Sequence, residues 1–191
     1  MKQKQGATPF GVEMKITDDA GRVVPWDGKT FGRIKVRGPA IAKAYYKENT
    51  PILDAEGFFD TGDVGTMDRY GYMQITDRSK DVIKSGGEWI SSIDLENLAV
   101  GHAKVAEAAV IGVRHPKWDE RPLLVIVLKE GQSATKDEIL GFLEGKITKW
   151  WMPDDVVFVS AIPHTATGKI LKTALREEFK GYVLPTAIAA E

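Results

Sequence analysis

Three short strings hold the residues best equipped for chemistry: Thr61-Gly62-Asp63, Asp77-Arg78-Ser79-Lys80-Asp81 and Thr165-Ala166-Thr167-Gly168-Lys169-Ile170. A short carboxylate at the mouth of a strand, as Asp63 is expected to be, can accept hydrogen bonds from both hydroxyls of a vicinal diol, because two donors meet two oxygens. Lys169 sits on a glycine-containing loop that a ligand can approach closely. Its ammonium can offset repulsion between two anions and stabilise charge developing on phosphate oxygens. Each residue also has a plainer reading: a Gly-Asp turn, an exposed turn lysine, and for Arg78 a surface ion pair with Asp77 or Asp81. A fourth string, Lys84-Ser85-Gly86-Gly87-Glu88-Trp89-Ile90, removes two side chains in succession, as a tight turn between strands requires. No Gly-x-x-x-x-Gly-Lys-Ser/Thr phosphate loop is present, and His102, His115 and His164 are scattered without carboxylates at ligand spacing, so no metal site is expected from this chain.

These groups need a scaffold, and 191 residues with 43% hydrophobic content can bury a core in one domain or in two small ones. Lys and Arg number 26 against 27 Asp and Glu, so the chain carries no broad basic field for nucleic acid or an anionic membrane. Without cysteine, disulfides, thiolate catalysis and Cys-ligated zinc are excluded within the chain, and a reducing cytoplasm fits. The longest apolar runs, Ala108 to Val113 and Leu123 to Leu128, are too short to span a bilayer and read as buried strands. Met1-Lys2-Gln3-Lys4-Gln5 lacks the apolar stretch of a secretory signal, and Ala189-Ala190-Glu191 is no recognisable targeting tripeptide.

From Val12 to Asp77 the pattern is short alternating strands, Val12 to Ile16 and Arg33 to Val36 among them, separated by Asp- and Gly-rich turns. A hairpin is expected between Val64–Met67 and Tyr72–Ile75. After Lys80 strands and helices alternate. Ser92 is expected to cap a helix carrying Leu95, Leu98 and Ala99 inward, with Ser91 and Asp94 at capping-box spacing. A polar loop, Arg114 to Pro122, should separate the two apolar strands. Thr135 and Glu138 form a second capping box, opening a helix that Pro153 ends; Asp155 to Val159 reads as a strand, and a last helix covers roughly Leu171 to Phe179. The expected class is α+β: a small antiparallel β unit over residues 1–79, a compact mixed α/β unit over 80–185, and a tail at 186–191.

In this order and at these separations the strings resemble the C-terminal part of the adenylate-forming acyl-CoA synthetases, the AMP-binding carboxylate–CoA ligases, over about Phe10 to Phe179. The resemblance implies that the chain is the tail of a larger enzyme whose N-terminal domain holds the phosphate loop and acyl pocket. It implies that Lys169 is the catalytic lysine of adenylation, that Asp63 holds the ribose, and that Arg78 reaches the ribose or phosphates. Lys80 becomes the hinge on which the C-terminal domain rotates between adenylation and thioester formation. Gly87 falls beside the tunnel for the pantetheine arm, with Lys84 on the same face; Trp89 either walls a site or packs in the core. Glu96 matches a frequent acidic position, although a solvated helix face explains it equally. His164 and Arg33 depart from the usual pattern. ATP, CoA and Mg2+ are implied as cofactors, the Mg2+ bound mainly through ATP and the N-terminal domain. A carboxylic acid is the implied substrate, and Lys84 to Ser91 look most like the medium- and long-chain fatty acyl branch. A homo-oligomer is left open. A second reading is a non-catalytic nucleotide- or CoA-binding or interaction module derived from a ligase tail.

Overall fold

In a computed structural model that describes residues 4–188, the chain passes from hairpins to mixed strands and helices between Lys80 and Asp81, where one compact unit ends and another begins. Residues 1–3 and 189–191, read above for targeting signals, lie outside the described residues. The first unit is a five-stranded antiparallel sheet. Its strands are β1 (Gly6–Ala7), β2 (Glu13–Thr17), β3 (Gly32–Arg37), β4 (Phe59–Met67) and β5 (Tyr72–Arg78), in the spatial order β1-β5-β4-β3-β2. Alternation along the strands turns Ile16, Ile34 and Met67 into one small core, with Met14, Val24, Val36 and Met73 packed on it. The β4–β5 turn is fixed by Asp68, whose carboxylate accepts from Tyr70 N and Tyr72 N.

The second unit is built on β6 (Ile83–Ser85), β7 (Glu88–Ile90), β8 (Val105–His115), β9 (Asp119–Leu128) and β10 (Asp155–Phe158). Strand β9 is its axis: β8 runs antiparallel to it, β10 parallel, and β6 meets it at Ser85 and Asp119. Both faces are covered, which is why the central strands read as unbroken apolar runs. Ala108, Val110, Leu124 and Ile126 point to a core shared with α1 (Ser92–Val100) and α2 (Lys136–Leu143). Their neighbours Ala109, Ile111, Leu123 and Val125 point to the opposite core, shared with α3 (Lys172–Glu178) and α4 (Pro185–Ile188).

Several boundaries differ from expectation. Ser91, not Ser92, caps α1, its hydroxyl accepting from Asp94 N, while Ser92 is the first helical residue. The expected loop from Arg114 to Pro122 is mostly strand, since the β8–β9 ladder continues to His115 opposite Asp119. Polar residues persist in that ladder because partners are at hand: Glu120 accepts from Lys84 N, and Arg121 is wholly engaged. Helix α2 stops at Leu143, well before Pro153, with left-handed Gly145 at φ 74° and a separate 3-10 turn, Lys149–Trp151, beyond it. The expected tail from residue 186 begins inside α4, and Ala187 is buried in the core.

Candidate functional site

In the first unit, Asp63 and Arg78 are directly opposite one another across β4 and β5, and Arg78 Nη1 lies 2.9 Å from Asp63 Oδ1. Asp63 thus lies inside a strand rather than at its mouth. The ladder shifts register between Val64 and Gly65, and such a bulge re-aims the side chains beside it. Backbone bonds fix both residues: Asp63 N donates to Thr61 Oγ1 and Arg78 N to the buried carboxylate of Asp77. Arg78 therefore pairs with Asp63 and with neither acidic neighbour considered from sequence; Asp81 instead accepts from Arg176 at 2.8 Å. The Arg78 side chain is 57% exposed and that of Asp63 23%, leaving an anionic acceptor and a cationic fork side by side where β5 ends. That donor set fits a nucleotide, the carboxylate meeting the diol of a ribose and the guanidinium a phosphate.

In the second unit, Lys169 stands on a closed turn. Thr165 N donates to Lys169 O at 2.7 Å, Gly168 N to Thr165 O at 2.9 Å, and Lys169 N to Thr165 Oγ1 at 3.2 Å. Gly168 has φ +78°, a left-handed conformation that suits glycine and lets the turn close. The stems are rooted through Ile162 and Ile170 in the core beside α3. The lysine side chain itself is exposed, and among the described residues its ammonium has no ion pair. His164, at the foot of the turn, lies 3.8 Å from Glu107.

The Gly86–Gly87 pair is the two-residue turn of the β6–β7 hairpin. With φ +58° and +87° both residues are left-handed, as a type I′ turn demands. Their surroundings differ. A Cβ on Gly86 would meet Trp150 at 2.9 Å and Trp118 at 3.2 Å, whereas one on Gly87 would meet nothing within 4 Å. Sequence reasoning missed the brace behind this turn. Arg121, 7% exposed, donates to Trp150 O, Met152 O and Ser85 Oγ, pairs with Asp154 at 2.7 Å and stacks on Trp150, whose Nε1 donates to Ser85 O. The available signal was an arginine heading a buried strand, where a charge must be paired. Lys84 lies 5.7 Å above the half-buried Trp89 ring. Ile83, Ile90 and Trp150 belong to the core on the α1–α2 face, so this turn and the Lys169 turn are rooted on opposite faces of one sheet.

Lys80 is exposed and lies at the unit boundary. Glu96 is not solvated: its side chain is 13% exposed and lies 2.7 Å from Lys172 Nζ. Among the described residues, no group of three or more His, Asp or Glu could hold a metal ion.

Residues 94–169 match the model of the AMP-binding enzyme C-terminal domain. Most of the second unit is thus similar to an AMP-binding enzyme C-terminal domain. Over 94% of its length the chain is 58% identical to the 3-methylmercaptopropionyl-CoA ligase of Ruegeria pomeroyi, and over 95% it is 47% identical to the long-chain-fatty-acid–CoA ligase of Thermus thermophilus. It spans about a third of each, 33% and 34% of their lengths. Among solved structures, ATP-bound MatB from Rhodopseudomonas palustris matches with a TM-score of 0.81 and 32% identity, covering 94% of this chain and 36% of that one. The AMP-binding C-terminal domain match covers most of α1, then β8, β9, α2, β10 and the Lys169 turn as far as Lys169, but not Asp63, Arg78 or the Gly86–Gly87 turn.

Proposed function

We propose that this chain serves an ATP-dependent carboxylate–CoA ligase, together with segments that complete the length of its relatives. The observation that carries the reading is an exposed lysine without an ion pair on a tightly closed glycine turn, in a domain whose relatives are acyl-CoA ligases. In the first half-reaction a carboxylate oxygen attacks the α-phosphorus of ATP and pyrophosphate leaves. Both reactants are anions, and the Lys169 ammonium offsets their repulsion and the charge gathering on the phosphate oxygens. Asp63 accepts from the ribose hydroxyls, and Arg78 supplies its guanidinium to ribose or phosphate. In the second half-reaction the CoA sulfur attacks the acyl carbonyl and AMP leaves. The open space over Gly87 admits the thin pantetheine arm, flanked by Lys84 and Trp89, and Lys80 at the unit boundary is the pivot between the two half-reactions. Mg2+ enters with the nucleotide rather than on residues of this chain. The substrate is an aliphatic carboxylic acid, with fatty acids and the thioether acid in the name of the 58%-identical relative as the first to test. No helix among the described residues is long and apolar enough to cross a membrane, and a cytoplasmic location completes the proposal.

Lys169→Ala in the full-length protein tests the assignment. Carboxylate-dependent ATP–pyrophosphate exchange should fall roughly 10²-fold or more, the usual cost of losing one well-placed charge, while CoA-dependent consumption of synthetic acyl-adenylate persists. Equal loss in both half-reactions would remove Lys169 from the adenylation step.

A further inference from the structure

Lys172 opens α3 only three residues after Lys169, yet it is 9% exposed. A cation in the first turn of a helix opposes the helix dipole, and a buried ammonium must find acceptors. Helix α1 provides them. Lys172 Nζ lies 2.7 Å from Glu96 Oε1 and donates to Ser92 Oγ at 2.5 Å, two groups four residues apart on one helical face. Glu96 Oε1 also accepts from Val110 N at 2.8 Å. Among the described strands β8 pairs only with β9, so this amide lies on the open edge of the sheet. Leu95 of α1 and Leu175 of α3 lie in cores on opposite faces of the sheet. The Lys172–Glu96 pair passes around the β8 edge and ties the helix that follows the Lys169 turn to the far face. Between the tie and Lys169 the backbone is pinned: Leu171 N donates to Pro163 O at 2.8 Å, and His164 bridges Ile170.

We propose that Glu96 and Lys172 are positioning residues for adenylation: their buried pair seats the Thr165–Ile170 turn so that Lys169 is presented rigidly and unpaired to the reacting phosphate. The proposal rests on the adenylation role of Lys169 argued above. Buried ion pairs are weak stabilising devices compared with apolar pairs of similar volume, so this one is better suited to fixing geometry than to holding the fold together. It also gives two lysines three residues apart opposite tasks, one exposed for chemistry and one buried as an anchor.

The test compares Glu96→Gln, the double variant Glu96→Leu/Lys172→Met, Lys172→Arg and Lys169→Ala in the full-length protein. Adenylation is read by ATP–pyrophosphate exchange and thioester formation by consumption of synthetic acyl-adenylate. Misplacing the turn should slow adenylation roughly tenfold to a hundredfold in the first two variants, with thioester formation nearly unchanged. Lys172→Arg keeps the charge pair and should retain most adenylation. A folded Glu96→Gln or double variant with normal adenylation, or one slowed alike in both half-reactions, overturns the proposal. The double variant removes both buried charges, so it remains informative if Glu96→Gln unfolds. Amine acetylation of the unsubstituted protein, read by mass spectrometry, should modify Lys169 well before Lys172; equal reactivity would show the anchor absent in solution and overturns the proposal even if neither variant folds. If Lys169→Ala fails to slow adenylation selectively, the parent reading falls as well. If it does so while Glu96→Gln does not, the positioning role alone is lost.

Discussion

Asp63 and Arg78 neutralise one another across a strand pair, and any nucleotide that binds there has to compete with that contact. The competition is mild, because an ion pair with a 57% exposed guanidinium is largely screened by water. A ribose diol donating to the carboxylate makes charge-assisted hydrogen bonds worth about 1.5–3 kcal/mol each. Asp63→Asn keeps the shape but loses the charge and one acceptor. Its KM for ATP should therefore rise roughly tenfold or more, with a smaller change in KM for the carboxylate. An unchanged ATP dependence in steady-state kinetics would take the ribose away from Asp63. The backbone of Arg78 is fixed by its bond to Asp77 and by register.

The β6–β7 hairpin separates two roles that look identical in its two glycines. Gly86 is confined by Trp150 and Trp118, and Gly87 faces open space. Gly86→Ala combines a left-handed alanine with a clash on an aromatic ring, and should lower stability by about 2–3 kcal/mol in chemical denaturation. A Cβ at Gly87 meets nothing within 4 Å, so the fold cost of Gly87→Leu is mainly that of the left-handed backbone, about 1–2 kcal/mol. Its functional cost should be selective: slow CoA-dependent consumption of acyl-adenylate with near-normal pyrophosphate exchange. Loss of both activities together would point to folding damage and dissolve the two-face assignment. The chain end is held in a comparable way to this hairpin. Tyr182 OH donates to Asp155 Oδ2 at 2.5 Å, and burial, followed by that bond, pushes the phenol up to about 12. A phenol whose folded value is raised contributes stability that is complete below its ordinary value near 10 and is lost as pH climbs toward about 12. Tyr182→Phe should flatten the alkaline limb of a denaturation-midpoint profile between those values. A limb of unchanged steepness would assign it to other groups.

At the scale of the whole molecule, each unit has its own core and carries only some of the proposed catalytic groups: a ribose and phosphate contact in the first, a lysine turn and a glycine turn in the second. Neither contributes a glycine-rich phosphate loop, and no metal-holding group occurs among the described residues. The 191-residue chain by itself should therefore show no carboxylate-dependent ATP–pyrophosphate exchange. Appreciable exchange by the purified chain would mean that it assembles a complete adenylation site.

Sequence alone determined the features set by local chemistry. The Thr135–Glu138 cap, the Asp68 turn, the buried strands from Ala108 and Leu123, and the glycine turn carrying Lys169 follow from short-range hydrogen bonding and period. Tertiary structure decided which charges meet. Arg78 found Asp63 rather than its acidic neighbours because strand register places opposite residues closer than sequence neighbours that point away. Glu96, readable as a solvated helix residue, became mostly covered because Lys172 and the β8 edge arrive from segments 76 and 14 positions distant, respectively. Arg121 read as part of a polar loop for the same reason: its acceptors Trp150 O and Met152 O belong to a 3-10 turn and its end, about thirty residues away. A charge's cost in the interior depends on partners that only the folded chain brings within hydrogen-bonding distance, and no spacing rule along the chain reports them.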